Sequence, residues 1–402
     1  MNIFSKLYCR VFQFGFRIAL PFLPYRKPKI LTENNEIVDV LKFHHINNIL
    51  LVTDKGIIAN NLVSPLLKEL EENNINYVIY DQTVVNPTIN NVEEARRFYI
   101  DNNLQGIIAF GGGSPIDLAK VVGARIVKPN QEVNKMKGVL KIHKKTPLLI
   151  AIPTTSGTGS EVTIAAVITD EKTHYKYPIN DFSLIPDYAL LDYKNTLNLP
   201  KHLTATTGMD ALTHAIEGYI SQTRTKETKE MSLKAIKLIY ENLYTCYIDP
   251  HNVESRKNML FASFYAGLSF TKAYVGYVHS IAHALGGKYN IPHGLANSII
   301  LPVTLEKYGK AIYKSIKEIS VYIGLSNKDD SLEKAFNDFI NWIYQLNKKM
   351  GIGTTISQIN KEDISSLAII ASKEANPLYP VPKLFDAKEL ESIFLKLIEK
   401  EA

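Results

Sequence analysis

Residues 106–127 have the sequence GIIAFGGGSPIDLAKVVGARIV, in which a strand pattern is followed directly by a helix pattern. Gly106 to Phe110 is a short apolar run, as expected of a buried strand. Gly111 to Ser114 closes that run, and Pro115 stands at a position where helices commonly begin. Asp117 to Val127 continues as a helix. The stretch therefore predicts a strand, a glycine-rich turn and a helix in succession.

The same alternation extends to both sides of this stretch. Nearly continuous apolar runs predict strands that are covered on both faces of a sheet, and helical periodicity separates these runs. The predicted strands lie at Ile49–Thr53, Tyr77–Tyr80 and Leu148–Ile152, and the predicted helices at Leu62–Leu70 and Glu93–Tyr99. The alternation predicts a doubly wound parallel sheet, and thus an α/β domain over residues 29–199.

Two loops of this domain have the composition of a nucleotide site. Glycines let a backbone approach a pyrophosphate, and the helix that follows Gly111–Ser114 supplies N–H groups and a positive dipole end. The pattern is GGGSxxD and not GxGxxG, so a plain turn at a helix start is the alternative. The strand at 148–152 ends in PTTSGTGSEVT, Pro153–Thr163. Hydroxyls and glycines at the carboxyl end of a parallel strand suit a ligand crevice, and a solvated loop is the alternative.

The second half of the chain is predicted to be helical. Strand-like runs stop at Leu199-Pro200, where we place the boundary of an all-α domain over residues 200–402. A capping box from Asp386 to Glu389 opens its last helix. The predicted helices lie at 208–220, 226–243, 253–270, 293–307, 331–347, 361–373 and 386–398.

Histidines concentrate in this helical half. Asp210 and His214 are four residues apart, as are His279 and His283, and His293 precedes a glycine. Residues four apart lie on one helix face, so Asp210 and His214 can point at one spot, to which a second helix brings His279 and a loop brings His293. One carboxylate and three imidazoles form a ligand set for a divalent transition metal. Spacing alone leaves open that these are ordinary core histidines.

Composition excludes several other classes of protein. The chain has 402 residues, is 46% hydrophobic and 21% charged, and is long enough for two or three globular domains. We interpret its formal charge of +6 as a diffuse excess without interleaved aromatics, so nucleic-acid binding is not predicted. Cys9 and Cys246 cannot build a disulfide framework, which favours a reducing compartment, the cytoplasm.

Residues 1–28 form an N-terminal extension with its own pattern. Apolar side chains recur at helical spacing, basic side chains fall on the other side, and the first acidic residue is Glu33. The apolar stretch between Arg17 and Arg26 is too short and too interrupted by prolines to span a bilayer. We expect an amphipathic arm that packs on the body or on a second subunit. A helix on a membrane surface and an organelle-targeting segment are the alternatives.

Taken together, the motifs resemble those of the iron-containing, group III metal-dependent alcohol dehydrogenase family. The resemblance covers residues 29–402 and leaves the N-terminal extension outside. The matching motifs are GGGSPIDLAK from Gly111, PTTSGTGSEVT from Pro153, GMDALTHAIEGY from Gly208, HSIAHALGG from His279 and PHGLANSIILP from Pro292.

This resemblance implies a Rossmann-like domain and a helical domain with the active site in the cleft between them. It implies Asp210, His214, His279 and His293 as metal ligands, and His283 as a nearby histidine that does not bind the metal. The family expectation for oligomeric state is a homodimer. The residues implied in binding the nicotinamide cofactor are Asp54, Asn86, Gly112, Gly113, Ser114, Pro115, Asp117, Thr154, Thr155, Thr163 and Lys176.

The implied reaction is reversible hydride transfer between a primary alcohol or aldehyde and a nicotinamide, with the metal as Lewis acid. His283 is the candidate proton relay, and simple helix packing is its alternative role. Asp54 at the end of an early strand favours NAD over NADP, because a carboxylate repels a 2′-phosphate. The family favours Fe(II), although Zn(II) binds such sites more tightly.

Other functions stay open on the sequence. On the same fold these are a polyol dehydrogenase, a hydroxyacid–oxoacid transhydrogenase and a dehydroquinate-synthase-like lyase. From another class, a membrane-associated binding or scaffold protein without catalysis is an alternative. The substrate pocket is expected near Ala165, Phe270 and Val275, whose small or apolar side chains suit short unbranched alcohols.

Overall fold

A computed structural model describes residues 1–172 and 175–398 of the chain. The chain separates into two compact units. One unit is Pro24–Leu199, and the other combines Met1–Leu23 with Pro200–Ala402. Most of the predicted N-terminal extension is therefore part of the helical unit.

The helical unit begins with α1 (Ile3–Ala19), which the side chain of Asn2 caps by accepting a hydrogen bond from the backbone N–H of Ser5 at 2.8 Å. The helix predicted in the extension is thus present. Its buried side chains are Cys9 and Gln13, Phe16 is half-buried against the ring of Tyr274, and its other large apolar side chains are exposed. The face that packs on the protein is therefore not the apolar face.

The α/β unit contains the alternation that the sequence predicts, with additional short elements. Its elements in chain order are β1 (Lys29–Leu31), α2 (Asn34–Phe43), β2 (Asn48–Val52), α3 (Lys55–Ala59), α4 (Ser64–Glu72), β3 (Asn76–Tyr80), α5 (Ile89–Asp101), β4 (Gly106–Gly111), α6 (Gly113–Val127), β5 (Gly138–Val139), β6 (Leu148–Pro153), β7 (Ala165–Asp170), β8 (Tyr175–Asn180) and β9 (Tyr188–Leu190).

Within the described residues of this unit, six strands form a parallel sheet in the order β1-β9-β6-β4-β2-β3. From β2 the chain winds to β3 on one side, and from β4 it winds to β6 and β9 on the other. The direction of winding thus reverses between β2 and β4, and such a switch point opens a crevice at the carboxyl ends of the strands. A second sheet pairs β8 with β5 and, antiparallel, with β7.

Both faces of the main sheet are covered, which explains why its central strands lack polar alternation. Ile49 and Leu51 of β2 pack with residues of α2 and α4. Leu50 and Val52 of the same strand point to the other face and pack with residues of α5 and α6. All four side chains are fully buried. This is the doubly wound arrangement that the sequence predicts.

Several helices in the second part of the helical unit are longer than the patterns predict. Asp386 and Glu389 form the predicted capping box, with reciprocal hydrogen bonds of 3.0 and 2.9 Å. Within the described residues the helices are α7 (Lys201–Ile220), α8 (Lys226–Ile248), α9 (Val253–Ala273), α10 (Tyr277–Tyr289), α11 (His293–Tyr308), α12 (Tyr313–Ile323), α13 (Leu332–Lys349), α14 (Ile364–Ala375) and α15 (Ala387–Ile398). Among all described helices, none is long and apolar enough to cross a lipid bilayer.

Candidate active site

Helix α7 is buried along most of its length, and it presents three functional side chains on one face. Asp210, His214 and Glu217 follow the i, i+4, i+7 spacing that places residues on a common face. Their exposed fractions are 2%, 4% and 3%, so none is solvated. A buried charged or ionisable side chain needs a partner, and the neighbouring helices supply it.

Helices α10 and α11 bring the other two predicted ligands to this face of α7. His279 lies in the first turn of α10, and His293 is the first residue of α11, where the predicted helix 293–307 begins and not in the loop before it. A Cβ at Gly294 would lie 2.5 Å from the backbone oxygen of Thr206 on α7. Only glycine therefore lets the start of α11 lie this close to α7 and place His293 beside the other ligands.

The four predicted metal ligands converge. In the described part of the chain, one donor atom from each of Asp210, His214, His279 and His293 lies within 4.8 Å of the others. The His214 and His279 rings stack at 4.6 Å, and Nε2 of His293 lies 3.6 Å from Oδ1 of Asp210. Burial lowers the pKa of His279 well below its usual range, and the neighbouring imidazoles lower it further, which favours a neutral ring. Neutral imidazoles and one carboxylate fit a divalent cation.

Asn297 lies at the centre of this cluster, although sequence reasoning does not single it out. It is fully buried one turn after His293, and its Nδ2 donates to Oδ1 of Asp210 at 2.6 Å. The same Nδ2 lies 3.1 Å from Nε2 of His293 and 3.4 Å from Nε2 of His279. Its Oδ1 is buried without a hydrogen-bond partner. The amide thus contacts the carboxylate and two imidazoles and keeps these side chains in place.

Glu217 fixes the orientation of His279. Its carboxylate lies 2.6 Å from Nδ1 of His279 and accepts hydrogen bonds from the backbone N–H groups of Gly276 and Val278 at 2.7 and 2.9 Å. Burial raises the pKa of Glu217 to about 8, against the opposing effect of these N–H donors. When the Nδ1–H of His279 donates a hydrogen bond to Glu217, the lone pair of Nε2 is left for the cluster, which is the tautomer that a metal ligand requires.

His283 points to a separate acidic partner. Its Nδ1 lies 2.6 Å from Oε1 of Glu374 on α14, and the hydroxyl of Tyr379 donates to the same oxygen at 2.7 Å. Burial by itself would raise the pKa of Glu374, but the charge of His283 and the two hydrogen bonds lower it. The His283 ring stacks on His293 at 5.3 Å. His283 therefore borders the ligand cluster and has a proton-accepting partner of its own.

The carboxyl ends of adjacent strands collect several of the predicted cofactor residues. Asp54 follows β2 and caps α3, since its Oδ1 accepts the N–H of Ile57 at 3.0 Å. Gly112, Gly113, Ser114, Pro115 and Asp117 follow β4 and form the first turn of α6. A Cβ at Gly111 would lie 2.5 Å from the ring of Pro115, so glycine is required in this turn. Thr154 and Thr155 follow β6, next to β4.

The Thr-rich loop after β6 is tied to α6 by buried polar contacts. Nζ of Lys120 donates to Oγ of Ser160 at 3.1 Å and to Oγ1 of Thr163 at 3.0 Å. Asp117 accepts hydrogen bonds from Ser160 at 2.5 Å and from the N–H of Val167 at 2.9 Å. Burial lowers the pKa of Lys120 to about 8, against the charge of Asp117. Asp117 and Thr163 are thus used within the protein, where they hold the loop in place.

Asn86 and Lys176, both predicted to contact the cofactor, are paired with each other. Nζ of Lys176 on β8 donates to Oδ1 of Asn86 at 2.7 Å. Asn86 has a positive φ of 61°, which asparagine tolerates better than most residues. Their assignment to the cofactor stays a prediction, as does that of the other nine residues at the strand ends and in the loop.

Family models agree with the motifs and the geometry. The model described as iron-containing alcohol dehydrogenase matches residues 28–193, and the model of the C-terminal region of the same family matches residues 204–398. The chain belongs to the iron-containing alcohol dehydrogenase family. It is an oxidoreductase of the alcohol dehydrogenase type.

Similar proteins span nearly the same length as this family member. Alcohol dehydrogenase 4 of Saccharomyces cerevisiae is 35% identical and covers 90% of this chain and 94% of its own. Lactaldehyde reductase of Escherichia coli K12 is 34% identical, with 83% and 87% covered. A crystal structure of 1,3-propanediol oxidoreductase superposes with a TM-score of 0.89 at 30% identity and covers 93% of this chain and 99% of its own. The predicted fold class is thereby confirmed.

For this family member, replacing Glu217 by Gln is expected to weaken metal binding by about 10- to 100-fold while the protein stays folded. The amide keeps the size of the carboxyl group but gives His279 a weaker and less specific acceptor. Metal affinity is measured by competition with a chromogenic chelator. Glu241→Gln on the exposed face of α8 is the matched control. Unchanged affinity in the Glu217 variant would show that the contact with His279 is structural only.

Proposed function

We propose that the enzyme interconverts a primary alcohol and its aldehyde, with NAD as the hydride acceptor and Fe(II) as the metal. The observation that carries this proposal is the convergence of Asp210, His214, His279 and His293 within 4.8 Å in the described part of the chain. The family supplies the reaction type.

The residues of this chain have distinct roles in the proposed reaction. When bound, the metal would polarise the alcohol oxygen and the nicotinamide would take up the hydride. Asp210 and the three imidazoles hold the metal, while Glu217 and Asn297 keep them oriented. His283 accepts the proton at Nε2, because its Nδ1 is engaged with Glu374 at 2.6 Å. The ring of Phe270, which stacks on His214 at 4.1 Å, is an apolar wall for a short alcohol.

The choice between NAD and NADP depends on Asp54 in this proposal. Asp54 lies at the carboxyl end of β2, beside the switch point of the sheet, and its Oδ1 accepts the N–H of Ile57 in the α3 cap. We expect kcat/KM to be at least about tenfold higher with NAD, since a nearby carboxylate repels a 2′-phosphate. Asp54→Asn should reduce this ratio. Steady-state kinetics with both cofactors check the prediction, and a higher kcat/KM with NADP would contradict it.

An anaerobic experiment on purified protein tests the proposed function. Bound iron and zinc are quantified, and NAD reduction is followed over a panel of short alcohols with and without added Fe(II). We expect about one metal per chain and NADH formation that depends on it. Metal without alcohol turnover would refute the proposed activity and direct the search to transhydrogenase chemistry, which proceeds without free NAD. Full activity with zinc alone would overturn the assignment of iron.

Diols are the second substrate class to include. The names of two similar proteins motivate it, since one acts on lactaldehyde and the other on 1,3-propanediol. A higher kcat/KM for a vicinal or terminal diol than for every simple primary alcohol would identify this chain as a polyol dehydrogenase.

A further inference from the structure

Helix α1 is attached to its own unit through a face that is mainly polar, on which Cys9 is also buried and Phe16 contacts Tyr274. Gln13 is 3% exposed, and its Nε2 donates to the carbonyl oxygens of Tyr379 and Pro377 at 2.8 and 3.2 Å. The guanidinium of Arg10 donates to the carbonyl oxygens of Val381 and Pro382 at 2.7 and 3.0 Å. Four carbonyl groups of one segment thus accept hydrogen bonds from one face of the helix. This attachment determines which face of α1 remains outside.

The outward face of α1 carries a continuous apolar stripe. We define the stripe as Phe4, Leu7, Val11, Phe14 and Ile18, whose spacing of three and four residues places them on one side of the helix. Their side chains are 79%, 61%, 61%, 63% and 56% exposed.

Ile3 and Tyr8 flank the stripe, and Phe22 follows the helix with 84% exposure. Phe4, Phe14 and Phe22 alone expose roughly 400 Å² of aromatic surface, given about 200 Å² per side chain. That area already equals the largest apolar patch of a typical monomer, and such patches mark interaction surfaces.

The charge of residues 1–32 indicates which kind of partner fits the stripe. Residues 1–32 contain six of the 46 basic residues of the chain and none of its 40 acidic residues, so they account for the whole net charge of +6. The excess of positive charge is therefore concentrated at the N-terminus. The interpretation of this excess as diffuse, made from the composition alone, was wrong. Lys6 and Arg17 are exposed. Lys6 lies one helical turn before Arg10, and Arg17 lies one helical turn after Gln13. The nearby carboxylate of Asp386 caps α15 and pairs with the amino group of Met1.

We propose that the stripe, together with Lys6 and Arg17, binds the surface of an anionic lipid membrane. An amphipathic helix with aromatic and aliphatic side chains on one face and basic residues beside it inserts that face at the headgroup boundary. The basic side chains then reach back to the lipid phosphates. Two copies of the stripe in contact would bring four like charges together, which disfavours a second chain as the occupant. The inference is independent of the proposed reaction.

Vesicle flotation of the full-length protein tests this surface. Vesicles of phosphatidylcholine with phosphatidylglycerol are compared with vesicles of phosphatidylcholine alone. We expect the protein to float with the anionic vesicles. Leu7→Ser combined with Phe14→Ser should lower the partition coefficient about 100-fold, because each buried side chain contributes about tenfold. Lys6→Gln with Arg17→Gln should lower binding to anionic vesicles by about tenfold or more.

A matched pair of substitutions controls for general loss of apolar surface. Ile248→Ser with Ile370→Ser changes two side chains of the same unit that are 54% and 50% exposed, and it should leave flotation unchanged. Far-ultraviolet circular dichroism and the thermal midpoint report that each variant is folded. The proposal is overturned if the unchanged protein stays out of the floating fraction, or if the stripe variants float as well as it does. It is also overturned if the stripe variants abolish only self-association in sedimentation velocity.

Discussion

His279→Ala is expected to abolish metal retention and to lower kcat/KM for alcohol oxidation by about 10³-fold or more, since a bound metal contributes several kcal/mol to such a reaction. The substitution removes one of three imidazoles from a cluster in which the donor atoms lie within 4.8 Å of one another. It also leaves the buried carboxylate of Glu217 without the ring that it orients. Both effects act on the same site, so excess Fe(II) should restore little of the activity.

Metal content by mass spectrometry and anaerobic kinetics measure this result. His251→Ala is the control, because that histidine is exposed in the loop between α8 and α9. A His279→Ala protein that kept both its metal and its rate would remove His279 from the ligand set, and with it the geometric basis of the proposed function.

His283→Ala is expected to keep the metal and to lower kcat by about 10²- to 10⁴-fold, the range for loss of a proton-transfer group. The ring borders the ligand cluster through His293, but it is oriented by Glu374 on a different helix. Glu374→Gln should give a smaller loss, because the imidazole remains but loses its ionised partner. A purely structural role for His283 would instead raise KM and leave kcat unchanged.

The comparison of metal contents separates the two histidines. Equal metal loss in His279→Ala and His283→Ala would refute the division of roles between ligand and relay. Loss of rate without loss of metal in the His283 variant would support it.

Periodicity was sufficient to predict the long, fully buried elements. The strand at Gly106–Gly111 and the helix after it have continuous apolar patterns, because both faces of the sheet are covered. The short strands β1 and β9, with three residues each, are too brief for any periodic signal. Helix α12 was missed although Ile316, Ile319 and Ile323 recur at helical spacing and are buried, so its periodicity was a usable signal.

The spacing of Asp210 and His214 predicted a shared helix face, and the structure places them on one. The acidic partners were harder to find. Glu217 lies on the same face as Asp210, three residues after His214, so its spacing was a usable signal. Glu374 lies 91 residues from His283, and only the packing of α10 against α14 brings them together. Asn297 could have been noted as the residue one turn after His293.

The face by which α1 packs on the protein could not be predicted from the sequence either. Amphipathic spacing predicted a helix, but it suggested an apolar inner face. Backbone carbonyls within Pro377–Pro382 instead accept hydrogen bonds from Gln13 and Arg10. A pattern of side chains in the sequence cannot predict where backbone carbonyls are available as acceptors.

The attachment of α1 has a practical consequence for shortened versions of the chain. Without residues 1–23, the carbonyls of Pro377, Tyr379, Val381 and Pro382 lose the hydrogen bonds from Arg10 and Gln13 and become accessible to water. The carbonyl of Tyr379 keeps its bond from the N–H of Val381 at 2.8 Å. Tyr379 also donates its hydroxyl to Glu374, so a change in this segment extends to the group that orients His283. A lowered rate in a truncated enzyme would therefore reflect the exposure of the segment Pro377–Pro382. It would not be evidence about the lipid-binding surface. Point substitutions on the outer face of the helix keep the two effects apart.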